Sequence, residues 1–186
     1  YPQHTSFLDA CDSLGLLVYE EVASWQHIGG DEFIKHMDYM MEGMIRRDRN
    51  HPSIILWGMM NEGHSSKMFE KMIRTSKELD STRPVSYAEN HIDMGIKDGT
   101  VFQPDVLGLN YKLDNYDQFH EKYPNIPILN TECTSADKSI MGDLESQLTA
   151  TLKIKKDLDF IDERDFIAGA CIWGFHDYGT EYRPVW

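Results

Sequence analysis

Apolar residues in this chain gather in short unbroken runs, separated by longer stretches with a helical period. "GLLVYEEV" (15–22) is the first run. "SIILWGMM" (53–60), "PVSYAE" (84–89), "DVLGLNY" (105–111), "IPILNTE" (126–132) and "AGACIWGF" (168–175) repeat its character. Runs this short, continuously apolar rather than alternating, predict strands covered on both faces, as in a parallel sheet. Between them, apolar positions recur every three or four residues and predict helices. Thr5 or Ser6 heads the first, with Phe7, Leu8, Cys11 and Leu14 on one face. A longer helix follows Asp31 and turns Phe33, Ile34, Met37, Met40, Met41, Met44 and Ile45 inward. Ser65 or Ser66 caps a third over Met68, Phe69, Met72, Ile73 and Leu79, and Asp114 starts a short one through Tyr116 and Phe119. The last, within 139–161, spaces Ile140, Leu144, Leu148 and Leu152 four apart, with Leu158 and Ile161 beyond. The many methionines sit at helical spacing, which marks them as core filler.

A helix followed by repeated strand–helix pairs predicts an α/β fold with a parallel sheet. A doubly wound sheet would carry a glycine-rich phosphate loop after an early strand, and no strand here has one. A (β/α)8 TIM barrel instead places polar side chains at the C-terminal ends of several strands. This chain does so. Glu62 closes the second run, Glu89 and Asn90 the third, Asn110 and Tyr111 the fourth, Glu132 the fifth, and Trp173, His176 and Asp177 the sixth. Two carboxylates from different strands, beside amides and aromatics, suit hydrolysis of a glycosidic bond: one gives a proton to the leaving oxygen while the other stays ionised. On spacing alone, a set of solvated strand ends remains the plain alternative.

Composition narrows the partners. The 186 residues suffice for one domain with a real core, and 18 basic against 31 acidic residues leave a net charge of −13. Such a chain repels phosphate backbones and anionic lipid, so nucleic acid is excluded as a partner, and no apolar run of ~20 residues exists to span a membrane. Cys11, Cys133 and Cys171 are odd in number, widely spaced and without a C-x-x-C pair, which predicts small buried apolar residues rather than a disulfide or zinc site. His4, His27 and His64 are scattered and form no convincing metal site.

"RRDRNHPSIILWGMMNE" (46–62) resembles the acid/base segment of family 2 glycoside hydrolases, the family of β-galactosidases, β-glucuronidases and β-mannosidases. Three further segments resemble that family in order: "YPQHTSFLDACDSLGLLVYEE" (1–21), "PILNTE" (127–132), which is similar to the nucleophile strand, and "GACIWGFHDYGTEYRP" (169–184). The resemblance implies a retaining exo-β-glycosidase with Glu62 as general acid/base and Glu132 as nucleophile. It implies four substrate-binding residues: Asn61 on the sugar's 2-hydroxyl, Asn110, Tyr111, which would also donate a hydrogen bond to the nucleophile, and Trp173 as floor of the sugar site. It implies no organic cofactor, while magnesium or sodium near the site occurs in some members. Arg46, Arg49 and His51 would brace the opposite rim, and one of Glu20 and Glu21 would partner a cation.

The sequence departs from the family pattern in two places. Cys133 follows the nucleophile where many members carry Tyr or Phe. The Asn-x-Lys that glucuronidases use to hold a uronate carboxylate is missing after the last strand, so β-galactosidase leads over β-glucuronidase or β-mannosidase by elimination. Only strands three to eight of the barrel can be counted, which predicts that residues 1–186 are a partial catalytic domain of a longer multidomain chain whose remainder is its partner. Two other functions fit less well: a carbohydrate-binding barrel remnant that does not cut, and a related endo-acting barrel glycosidase.

Overall fold

The computed structural model describes residues 1–134 and 144–174. Six parallel strands form one sheet whose order follows the sequence: β1 (Val18–Glu21), β2 (Ile54–Asn61), β3 (Val85–Glu89), β4 (Val106–Asn110), β5 (Ile128–Cys133) and β6 (Ile167–Ile172). Helices α1 (Thr5–Leu14), α2 (Asp31–Asp48), α3 (Ser66–Leu79), α4 (Ile92–Asp98), α5 (Tyr116–Lys122) and α6 (Leu144–Asp162) lie between and before them. Strands that each pair with their sequence neighbours curl into part of a TIM barrel, the incomplete barrel that the strand count predicts. Helix α4, one of its short 3-10 turns (Thr100–Phe102) and the other (Leu113–Asn115) carry little apolar periodicity and were not expected.

Local chemistry sets the helix ends. His4, not Thr5 or Ser6, caps α1: its Nδ1 accepts from the Ser6 amide at 3.2 Å. Ser65 caps α3 by accepting from Met68 N. Helix α2 begins with Asp31 and Glu32 and ends with Arg46 and Arg47, each sign placed against the opposite end of the helix dipole.

The core lies between the sheet and α2–α5, where Trp57, Tyr87, Met37, Met41, Met59, Met60 and Phe69 are fully buried. The methionines there fill the space between curved sheet and helices. Three expected core faces turn out otherwise. Phe7, Leu14 and Met40 are exposed, because α1 and α2 bury only their innermost stripe. Leu144, Leu148 and Leu152 of α6 are more than half exposed, because the helix packs through its C-terminal end, where Ile161 is buried and Phe160 meets the Tyr116 ring. Cys11 and Cys133 are buried, but Cys171 is exposed on β6, an edge strand of the described sheet. Ile140 lies outside the described residues.

The N-terminal rim is knitted by side chains that accept or donate to loop backbone. Arg83 donates to the carbonyls of Ile54, Arg49 and His51 and to Asp80. Asp80 also receives the Trp57 indole at 3.0 Å. Asp12 takes both His51 Nδ1 and the Ser53 amide. Arg49 and His51 therefore serve this rim. Arg46 instead pairs with Glu42 along α2.

Glu20 alternates away from the barrel interior and is 3% exposed between β1 and α2. Burial, reinforced by the Asp48 carboxylate, pushes it up to about 8, and Arg47 stands 3.6 Å away and only partly offsets this. The unfolded chain releases that proton near 4.5, so the folded state holds a proton the unfolded state has lost between those values. Stability is then expected to fall as pH rises across that window. Urea denaturation at pH values near 5 and 8 should show the slope in wild type and a flatter one in Glu20→Gln, with the variant the more stable at the upper value; equal slopes would refute it.

Candidate active site

In a regular strand successive side chains point to opposite faces, so one strand end delivers every second residue to a pocket. Here three strand ends each deliver two consecutive residues: Asn61 and Glu62, Asn110 and Tyr111, Thr131 and Glu132. Backbone irregularity makes this possible. The pairing register shifts between Gly58 and Asn61, between Leu109 and Asn110, and between Asn130 and Cys133. Among the described residues, the left-handed non-glycine positions are Gln26, Glu62, Tyr111, Lys112 and Thr134, all just past the C-terminal ends of β1, β2, β4 and β5. Such conformations cost ~1–3 kcal/mol each and gather where function requires a side chain to be re-aimed.

The pocket so formed is a cavity of about 780 Å³ lined also by Tyr19, Glu21, Trp25, Gln26, Asn90 and Trp173. A cavity of that size suits a small ligand such as one or two sugar rings. Gly58 opens its floor: a Cβ there would sit 2.7 Å from both Glu21 Cβ and the Tyr19 hydroxyl.

The two glutamates meet at Asn110. Its Nδ2 lies 3.0 Å from Glu62 Oε1, 3.4 Å from Glu132 Oε2 and 2.8 Å from Asn61 Oδ1. One amide with two hydrogens thus faces three acceptors, and the two carboxylate oxygens are no further apart than its two contacts laid end to end. Thr131 donates to Asn110 Oδ1 at 2.8 Å, which fixes the amide's orientation with its N–H groups toward the carboxylates. Tyr111 donates its hydroxyl to Glu132 Oε1.

The other Glu62 oxygen receives two donors that the sequence reading did not single out. Trp25 Nε1 and Gln26 Nε2 both lie 3.0 Å from Oε2. They reach it because the chain after β1 bridges to Asn61, with Gln26 N donating to Asn61 O at 2.9 Å. The sequence signal was thin: a tryptophan a few residues past a strand end, where its ring stays wet and its N–H seeks a partner.

These contacts divide the protons. Burial raises Glu62, but donors from Asn110, Trp25, Gln26 and Asn90 outweigh it and hold the group below its ordinary value. Burial likewise raises Glu132, the Glu62 charge adds to that, and Tyr111 and Asn61 offset only part, leaving it above its ordinary value. Glu21, a third carboxylate in the pocket, is pushed by burial up to about 7 despite the Tyr19 hydroxyl it accepts at 2.9 Å.

The remaining expected residues distribute as follows. Trp173 stands half exposed on the rim. Asn90 lines the pocket, whereas Glu89 alternates away from it and takes the Tyr87 hydroxyl and the His91 amide. His64 lies against Glu89 at 3.4 Å, and His91 lines a neighbouring cavity. His176 and Asp177 lie outside the described residues. For a metal, the close three-ligand group among the described residues is Asp9, Asp12 and His51, on the opposite rim. At Glu62 the oxygens face indole and amide N–H donors, which point hydrogens where a cation would need oxygen ligands, so magnesium does not fit there.

Comparison with known proteins bears on the fold and the family. The family model for the TIM barrel domain of glycosyl hydrolases family 2 matches residues 1–184. A β-galactosidase of Thermoanaerobacterium thermosulfurigenes is 35% identical over 190 residues, covering 97% of this chain and 26% of that one. A β-glucuronidase of Mus musculus is 26% identical and covers all of this chain and 33% of its own length. Among solved structures, a family 2 β-galacturonidase from Eisenbergiella tayi bound to galacturonate superposes with TM-score 0.83 at 25% identity, over 94% of this chain and 36% of that one. The chain thus spans about a quarter to a third of these relatives.

Removing the indole N–H while keeping the ring, by Trp25→Phe, takes away a donor that stabilises ionised Glu62. Its titration should move to higher pH, read from the carboxyl carbon in a 13C NMR titration. A midpoint that stays put or falls would show that the indole does not hold the charge.

Proposed function

We infer that this chain, which belongs to family 2 of the glycosyl hydrolases, is the catalytic part of a retaining exo-β-glycosidase acting on terminal β-linked neutral sugars, β-galactosides first among them. The observation that carries the reading is the Asn110 amide shared between Glu62 and Glu132. A shared amide contact of this kind keeps the two carboxyl groups close and accommodates the ~5–5.5 Å separation of retaining pairs.

In the first step Glu132 attacks the anomeric carbon, and Glu62 gives its proton to the departing glycosidic oxygen. A glycosyl ester forms on Glu132 and the leaving group departs as an alcohol. In the second step water, deprotonated by Glu62, attacks the same carbon and Glu132 leaves as carboxylate. Tyr111 steadies Glu132 before attack and as it is released, and Asn61, a lining residue of the pocket, holds the sugar's 2-hydroxyl. Trp173 at the rim offers an apolar face to the ring. Glu62's lowered pKa keeps it ionised, the form in which it enters the second step, at the cost of weakening it as the base there and as the acid in the first. Among the described lining residues the pocket carries three glutamates and no lysine, arginine or histidine, which favours a neutral sugar over a uronate. The glucuronidase relatives favour the other choice, and turnover of nitrophenyl β-galactoside against the β-glucuronide and β-mannoside by the full-length parent decides between them.

The order of the two pKa directions favours a second assignment, with Glu132 as the acid and Glu62 as the nucleophile. Azide separates the two. On the first assignment, Glu62→Ala loses roughly 10²–10⁴-fold in rate on a poor leaving group and gives the β-glycosyl azide on an activated one. Glu132→Gly is then inactive until azide restores it as the α-glycosyl azide. The opposite pairing of product and variant would exchange the roles, and neither variant losing activity would remove both residues from the chemistry.

A further inference from the structure

Next to the catalytic pocket lies a second cavity of about 410 Å³, between α4 and the turn into α5. Asn90 lines both cavities, and the consecutive residues Tyr111 and Lys112 line one each. On the proposed mechanism the leaving group lies beyond the glycosidic oxygen, among the neighbours of Glu62 rather than deep in the sugar site. Asn90 is such a neighbour, since it lines the catalytic pocket together with Glu62.

The chemistry across that seam differs from the pocket's. Lys112 Nζ donates to the Asn90 carbonyl at 2.5 Å and lies 3.2 Å from His91 Nδ1, which holds its ammonium at the junction. Tyr111 and Lys112 are both left-handed, with φ of 51° and 46°, so adjacent side chains part into the two cavities. Lys122 lies further along the wall with its ammonium 5.2 Å from the Tyr123 ring. Met94 and Phe119 supply apolar lining. Asp93 is the one carboxylate among the described lining residues. In a chain of net charge −13, beside a pocket lined by three glutamates, two lysines on one cavity are a local reversal of sign.

We propose that this cavity is the leaving-group subsite and that it takes an acidic aromatic aglycone, its ring on Met94 and Phe119 and its anion at Lys112 and Lys122. The inference rests on the glycosidase reading. On this reading the substrate's negative charge enters on the aglycone side, away from the three glutamates of the sugar pocket. Such attraction acts mainly on substrate capture and weakens with salt.

The test uses the full-length parent and two glycosides of the sugar it turns over, one with a 4-carboxyphenyl and one with a 4-(methoxycarbonyl)phenyl aglycone. Lys122→Met should lower the acid-to-ester ratio of kcat/KM by about two- to fivefold, the range of an exposed ion pair. Adding Lys112→Met should lower the acid-to-ester ratio further, and salt should lower it in wild type. A ratio that does not move, or acid and ester falling together, overturns the subsite. If the parent turns over none of the nitrophenyl glycosides, the glycosidase reading fails by itself. The cavity is then judged by saturation-transfer NMR with 4-hydroxybenzoate: transfer seen in wild type and lost in the double variant upholds an acidic aromatic site, and no transfer in wild type ends it.

Discussion

Two like charges in one half-dry pocket cannot both stay ionised unless donors are aimed at them. That constraint organises this protein. Asn110 answers it directly by offering one amide to both Glu62 and Glu132, and Thr131 turns that amide the right way round. The remaining donors are divided unevenly, with Trp25, Gln26 and Asn90 serving Glu62 while Tyr111 and Asn61 serve Glu132. The uneven division separates two carboxylates that are alike in sequence, and a pair with separated proton affinities is what acid–base chemistry at one carbon needs.

Supplying so many side chains from so few strands breaks the period-2 rule. Each of β2, β4 and β5 ends in an irregularity that re-aims one residue, and the left-handed residues concentrate there. The strain is held by the parallel ladder below it. At the far rim, Arg83 ties three loop carbonyls and Asp80 together, so the strand starts are fixed while their ends are bent. One rim carries stability and the other carries chemistry, the usual division of labour in a barrel.

The same sheet shows where the described chain depends on more than itself. Its strands pair only with sequence neighbours, so β1 and β6 are edges, and the α6 leucines face outward. A buried, proton-holding Glu20 sits beside the β1 edge. The β-galactosidase and β-glucuronidase relatives are three to four times the length of this chain.

Continuous apolar runs fixed by burial on both faces made the six strands and their parallel order legible in the sequence; carboxylates closed three of them, at Glu62, Glu89 and Glu132, and the family resemblance singled out the first and the last. Helix periodicity was legible too, but not which stripe would find a neighbour: Leu144 and Leu148 follow the pattern as well as Met68 and Met72 and end up exposed, because burial is a property of the partner. Glu89 and Glu132 both lie at a strand's end, yet one faces the helices and the other the pocket, since a one-residue register shift reverses every side chain beyond it. The grip of Trp25 and Gln26 on Glu62 spans more than thirty-five residues and exists only once two strand ends meet. Residue types and periods therefore determined the elements and the candidate carboxylates. The tertiary structure decided their orientation and proton affinity, because those depend on distances that close only when the sheet curls.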